Sequence, residues 1–442
     1  MSSMIDRVAR DDVLPRSTDV VVIGAGIIGV TAALTLAERG VAVVLIEKGV
    51  IAGEQSSRNW GWCRQQGRDP RELPLIIESM RLWRGLNQRI EGETGFRQCG
   101  VVYLARTAAD LAAREAWLDL VKTYGVDSRL LNRRELDQLL PGSAAPYAGA
   151  LFTPSDGRAE PALAVPAMAR AARRHGAIIL ENTAARGGET RAGAICNVMT
   201  EKGRIDCNGV LLAGGVWSRL FCQPLGINVP QLKVVSSALR TQPLPGGPDV
   251  SASGHGFTFR KRLDGGYTVA HGGVINYDLV PDSLRLLSRF LPLAWLARHE
   301  LRPRLSSRFG AEWRQPSSWQ LDESSPFEKI RILVPAPMPG VLRAAVRNLK
   351  GAYPAFRGLQ VAEEWAGMID VTPDAVPVIS GPPDLPGLVL ATGFSGHGFG
   401  IGPAAGQLAA DLVTAAPTAI DLQPFALSRF FDGSKICPVA GI

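Results

Sequence analysis

Short apolar runs alternate along the chain with stretches whose apolar positions recur every three or four residues, which predicts strands and helices in turn. Residues 20–23 and 41–46 are apolar and mostly β-branched, which suits parallel strands buried on both faces. Between them, residues 26–39 predict a helix closed by Gly40. Another helix is expected over 72–89, with Leu75, Ser79, Leu82 and Leu86 on one side. A strand over 100–105, helices over 110–124 and 133–140, and a strand over 150–154 follow. Pro161 opens a helix reaching His175. Residues 177–180 and 209–213 read as buried strands, with a hairpin of 194–201 and 204–208 between them. From 232 onward the pattern turns to alternation, and 234–240, 257–263 and 267–271 predict an antiparallel sheet. Residues 284–304 read as helical but divided by Pro292, and 343–353 as a further helix. The chain closes with strands over 363–370 and 387–392 and a helix from Pro403 to about residue 414.

The first turn carries chemistry. Gly24, Gly26 and Gly29 stand in G-x-G-x-x-G spacing between a strand and a helix, and the next strand delivers Glu47 at its carboxyl end. Gly24 permits the tight turn, Gly26 lets a pyrophosphate approach the backbone, and Gly29 lets helix and strand pack closely. The helix N-terminus offers free N–H groups, and Glu47 can accept ribose hydroxyls. A second strand, glycine loop and helix unit lies at 387–414. Two such units would grip opposite ends of one long cofactor, which favours a flavin dinucleotide over NAD. The fold class expected is therefore α/β plus α+β, a Rossmann-type FAD-binding domain with a mainly antiparallel substrate-binding domain. The cofactor domain is read as 19–105, 150–230 and 363–430, the substrate domain as 106–149 and 231–362, and residues 1–18 as an N-terminal tail.

Composition narrows the partners. A net charge of +7 without a basic run interleaved with aromatics argues against nucleic acid and suits an anionic substrate. Six scattered cysteines form no metal motif and read as free thiols in a reducing cytoplasm. Residues 1–19 lack an apolar core, so neither a secretory signal nor an anchor is expected. Residues 284–304 interleave leucines with Arg285, Arg289, Arg298 and Arg302. Burial under the substrate domain and peripheral contact with an anionic membrane both stay open for them.

On Gly24 to Gly29 with Glu47 and Lys48, on 51–58, 184–186, 213–221, the Pro-Phe-Glu-Lys run at 326–329, 365–367 and 392–393, the sequence resembles the D-amino-acid oxidase and glycine oxidase superfamily of FAD-dependent amine oxidoreductases, nearest the bacterial L-amino acid deaminase type. The resemblance implies that Ser56, Ser57 and Arg58 lie along the pyrophosphate, with Ile27 and Ile28 opening the helix behind them. It implies that Ala185 meets adenine, and it adds Gly214, Gly215, Trp217 and Gly367 to the cofactor's surroundings. Asn59, Trp60, Gly61 and Trp62 would pass beside the flavin. Gly396, His397, Gly398, Phe399, Gly400 and Ile401 would face its pyrimidine oxygen. FAD is expected to be non-covalent. As aligned, the deaminases' carboxylate-binding Arg falls where Gly272 stands, and their usual N-terminal anchor has no counterpart. Arg64, beside Gln65 and Gln66, and then Arg260 are the candidates to take a substrate carboxylate, with His271 in the vacated region and Trp365 walling the pocket.

The chemistry expected is hydride transfer to flavin from the carbon next to an amine nitrogen, followed by hydrolysis of the imine, with oxygen or a quinone taking the electrons. No side chain need act as acid or base. A secondary amino acid such as iminodiacetate or another N-substituted glycine is favoured. The alternatives are a primary L-amino acid, or a non-catalytic subunit that keeps the flavin fold; an NAD-dependent dehydrogenase ranks lower.

Overall fold

The computed structural model describes residues 5–439. Its first sheet has a parallel centre running Leu388–Thr392, Gly203–Leu212, Ser17–Ile23, Val43–Ile46 and Ile178–Leu180. Both middle strands are buried at every apolar position, as continuous β-branched runs require. The crossover helix Ile27–Glu38 packs beside Pro161–Arg174 and Gly398–Val413, and the latter rests on Leu73–Arg89. The expected hairpin and the strand after it are one element. Gly203–Leu212 begins antiparallel to Asn197–Thr200 and ends parallel to Leu388–Thr392.

The second sheet has ten strands and holds three segments that the apolar pattern assigned to the cofactor domain. Val101–Ala105 and Gly149–Thr153 pair with each other inside it, and Val361–Val371 pairs with Leu232–Thr241 along its whole length. A short apolar run reads the same in either sheet, because burial on both faces depends on what packs there. Helix Pro339–Ala352 covers this sheet over an aromatic cluster in which Phe356 lies 4.9 Å from both Phe259 and Tyr267. Ser251–Gly254 and Ile275–Leu279 were not foreseen as strands.

Two helical expectations change. Residues 284–304 form helices Pro281–Arg285 and Leu287–Leu296 and then strand Leu301–Leu305, so the break falls at Leu286 and Pro292 lies inside a helix. Leu286, Phe290 and Leu293 are buried, while Leu284, Leu287, Leu291 and Trp295 are exposed. The last helix starts at Gly398, five residues before Pro403. Its glycines read as loop, yet a Cβ on Gly400 would stand 3.2 Å from the Trp62 carbonyl oxygen, so the helix start abuts the short strand Trp62–Cys63 where a side chain would crowd it. No helix among the described residues is long and apolar enough to cross a membrane.

Candidate active site

The end of Ser17–Ile23 turns into Ile27–Glu38 through Gly24, whose φ is +104° and whose Cβ would lie 2.5 Å from the Ala213 carbonyl oxygen. Gly26 would press only on the Ser56 hydroxyl, at 3.0 Å. That hydroxyl accepts the Ile27 N–H at 2.9 Å. Gly29 sits directly over the Gly24 carbonyl. Glu47 accepts the Ala25 and Gly49 N–H groups at 2.9 and 2.8 Å, and burial raises its pKa despite Lys48 beside it. Lys48 is tied to Glu54 at 2.8 Å and lies over the Trp217 ring.

Gly24, Gly26, Glu47, Lys48, Glu54, Ser56 and Trp217 border a cavity of about 1280 Å³, part of it open to solvent. Ile27, Ile28, Lys48, Asn59 and Ala185 line it from one part of the chain, Gly214, Gly215 and Trp217 from another, and Gly396, Gly398 and Phe399 from the start of the last helix and the turn before it. The long shape implied by these three sources, the bare backbone at Gly24 and Gly26, and an acid at the strand end fit FAD.

Other expected cofactor neighbours stand elsewhere. Gly29 and Ile401 lie beneath the wall in packed core, and Ser57 opens on a separate cleft by residues 5–8. Gly61 abuts Arg260, and Gly367 backs Gln55, where a Cβ would come to 2.0 Å. Arg58, Trp60, Trp62, His397 and Gly400 line a second cavity.

That second cavity encloses about 1780 Å³, part of it open to solvent, and shares Gln55, Asn59, Ile369, Gly396 and Phe399 with the first. Arg64 and Arg68 both line it. Arg64 is almost buried, donates to the Gln66 carbonyl and stacks 5.5 Å from the Tyr103 ring. Arg68 is 2% exposed, donates from Nε to the Arg64 carbonyl at 3.2 Å and has no partner at Nη1. Burial and the charge of Arg64 lower its pKa to about 9. The sequence reading passed over Arg68; the only signal was its place four residues after Arg64 in the same loop. Behind the pair, His397 Nδ1–H donates to Glu72 at 3.0 Å, leaving Nε2 without a partner. Burial opposes the charge of Glu72, but His397, Arg68 and Arg64 outweigh it and hold the carboxyl below its ordinary range. Burial and Arg68 lower His397 to about 4, so its ring is neutral.

Gln65 and Gln66 brace this loop and do not line the cavity. Their N–H groups donate to Asp156 at 2.6 and 3.1 Å, Gln65 Nε2 reaches Ser155, and Gln66 Oε1 accepts from Thr153. Burial pushes Asp156 up from 3.8 to about 7, against the pull of those N–H groups. Within that window the folded chain keeps a proton that the unfolded chain has lost, so this group lowers stability as pH rises. Asp156→Asn is expected to flatten the dependence of Tm on pH across that window, measured by thermal unfolding.

Arg260 corrects the sequence reading. It is 1% exposed and closes a bidentate pair with Glu160 at 2.7 and 3.0 Å, outside both cavities. Trp365 also lines neither; its ring N–H donates to the Arg58 carbonyl at 2.8 Å. His271 does line the second cavity, its Nδ1 unpartnered and its pKa lowered by burial.

A family model described as FAD dependent oxidoreductase matches residues 19–412. The L-amino acid deaminase from Proteus myxofaciens, solved in complex with anthranilate, superposes with a TM-score of 0.94 at 35% identity, covering 97% of each chain. The 4-methylaminobutanoate oxidase (formaldehyde-forming) of Paenarthrobacter nicotinovorans is 24% identical over 424 residues, 95% of this chain. The chain spans 46% of that relative's length. Sarcosine oxidase subunit beta of Rhodobacter capsulatus is 23% identical over 428 residues, 95% of this chain and 90% of its own.

Proposed function

Since the chain belongs to the FAD-dependent oxidoreductase family whose model spans residues 19–412, we propose that it oxidises the C–N bond of an amino acid whose carboxylate is held by Arg64 and Arg68. It is an FAD-dependent amine oxidoreductase acting on CH–NH groups. The observation that carries the substrate assignment is this pair of buried arginines in an otherwise mostly apolar cavity joined to the cofactor cavity.

Bound FAD supplies the acceptor for hydride leaving the carbon next to nitrogen. The start of Ile27–Glu38 and the Ser56 hydroxyl would face its pyrophosphate, Glu47 its ribose, and the N-terminal end of Gly398–Val413 its electron-rich ring edge. Arg64 and Arg68 fix the substrate by charge-assisted bonds, which orients the reacting carbon. The neutral His397 has a lone pair at Nε2 that can accept an N–H, and Phe290, Leu293 and Trp62 exclude water.

Gly272, standing where the resemblance puts an arginine, leaves the carboxylate to Arg64 and Arg68, which can take that of a secondary amino acid such as an N-substituted glycine or of a primary one. A dicarboxylate such as iminodiacetate would have to divide its two charges between Arg64 and Arg68 in a cavity that also holds the Glu300 carboxylate, which places it behind monocarboxylates. The Leu and Trp side chains exposed beside Arg289 and Arg298 suit contact with an anionic membrane, where a quinone could take the electrons.

The test is the visible spectrum of the pure protein under anaerobic addition of L- and D-amino acids, sarcosine and iminodiacetate, followed by re-oxidation with oxygen or a quinone. Bleaching by a carboxylate-bearing amine is expected. A protein that binds no flavin sinks the reading in favour of a binding subunit. Arg68→Met is expected to raise KM by about a hundredfold, the worth of one or two charge-assisted bonds, with bound flavin unchanged.

A further inference from the structure

The wall of the second cavity built by residues 281–301 carries a charge that nothing else among the described residues answers. The neighbouring acids are all paired. Asp278 meets Arg304 and Arg308, Asp282 meets Arg219 at 2.7 Å and Arg285 at 3.1 Å, and Glu312 meets Arg308 at 2.6 Å. Glu300 has no ion pair and no hydrogen bond to its carboxylate among the described residues, yet it is partly buried and lines the cavity. Its nearest cations in sequence are turned to the backbone: Arg298 donates to the Trp295 carbonyl at 2.8 Å, and Arg302 to the His299 carbonyl at 2.9 Å.

Among the described residues Glu300 is the only carboxylate lining the cavity, and Leu293, Ala294, Ala297 and Leu301, close to it in sequence, line it too. Burial raises its pKa, and Arg64 and Arg68, which line the same cavity, form no ion pair with it. An unpaired carboxylate against apolar walls is costly, and such a group in a cleft marks a place where a ligand supplies the partner.

We propose that Glu300 receives a cationic group on the substrate's side chain, so that the preferred substrates are amino acids with a second positively charged nitrogen, an amine or a guanidinium, on a flexible arm. This rests on the reading in which Arg64 and Arg68 hold the carboxylate. The substrate then lies stretched between a cationic and an anionic end, with its methylene groups along the leucines.

The holoenzyme is assayed with lysine, arginine and norleucine, each as both enantiomers, in the wild type, Glu300→Gln and Glu300→Asp. Norleucine copies the lysine arm without its charge. The wild type is expected to favour lysine or arginine over norleucine in kcat/KM. Glu300→Gln should lose about a hundredfold for the cationic substrates through KM, with norleucine unchanged and Glu300→Asp intermediate. Preference for norleucine in the wild type overturns the proposal even if the variants fail to fold. An equal fall in kcat for all substrates also overturns it, pointing to a proton-accepting role. If Arg68→Met leaves every KM unchanged, the carboxylate reading fails. If only the Glu300 variants do so, that reading stands and this one falls.

Discussion

Gly29→Ala is expected to give a protein that is largely unfolded and holds no FAD. A Cβ at Gly29 would lie 1.9 Å from the Gly24 carbonyl oxygen and 3.2 Å from a Val22 methyl. Both atoms belong to the strand and turn that precede the helix, so no side-chain rotation relieves the contact. The helix would have to move off the strand by more than 1 Å, roughly the scale at which overpacked cores lose about 3 kcal/mol or more. It has nowhere to go, because Gly398–Val413 and Pro161–Arg174 pack on its other sides. The same motion withdraws its N-terminal N–H groups from the cofactor cavity. The control is Gly85→Ala, an exposed position inside Leu73–Arg89 where a Cβ meets nothing within 4 Å. That substitution should be neutral or stabilise by about 0.5–1 kcal/mol. Visible absorbance per chain and Tm read both variants.

Arg260→Met is expected to cost about 3–5 kcal/mol, because it leaves the Glu160 carboxylate buried without its partner. Burial opposes the charge of Glu160, but Arg260 and Arg262 outweigh it and hold the carboxyl below its ordinary value. A depressed carboxyl contributes stability above the unfolded pKa that is lost as pH falls through the folded one. In the variant the larger part of that pull is gone, with only Arg262 and the Leu263 N–H left, so the deficit is greatest at neutral pH and shrinks on acidification. Adding Glu160→Gln should recover much of the loss, since a neutral pair no longer strands a charge. Urea unfolding at two pH values measures all three proteins. A deficit that grows on acidification would contradict the argument.

The glycine turn, its two strands and Glu47 were legible because every part of that signal is local: spacing, period and the residue at a strand end. Arg260 was misread for the opposite reason. A cation on an alternating strand looks free until its partner is known, and Glu160 lies 100 residues away in sequence. Arg68 was passed over because the loop before Pro70 has no period that would place two arginines together. The start of the last helix was missed since glycine disfavours helices in general, whereas here the contact with Trp62 and Cys63 decides. Strand membership failed at 101–105 and 149–153 because pairing between sheets leaves no trace in an apolar run. Glu300 had no signal at all, since only the folded structure shows which charges remain unmatched among the described residues.

Strand Val361–Val371 is the shared partition of the two cavities. Met368, Ile369 and Asp370 face the first, Ile369 and Val371 the second, and Asp370 also accepts the Gly393 N–H at 2.7 Å. Residues here answer to two selections at once, and a change that widens the substrate range also disturbs the cofactor's seat. The helices Pro281–Arg285 and Leu287–Leu296 border only the second cavity. Divergence toward new substrates in this architecture therefore has one permissive wall and one conservative wall, and a library intended to alter specificity belongs in the former.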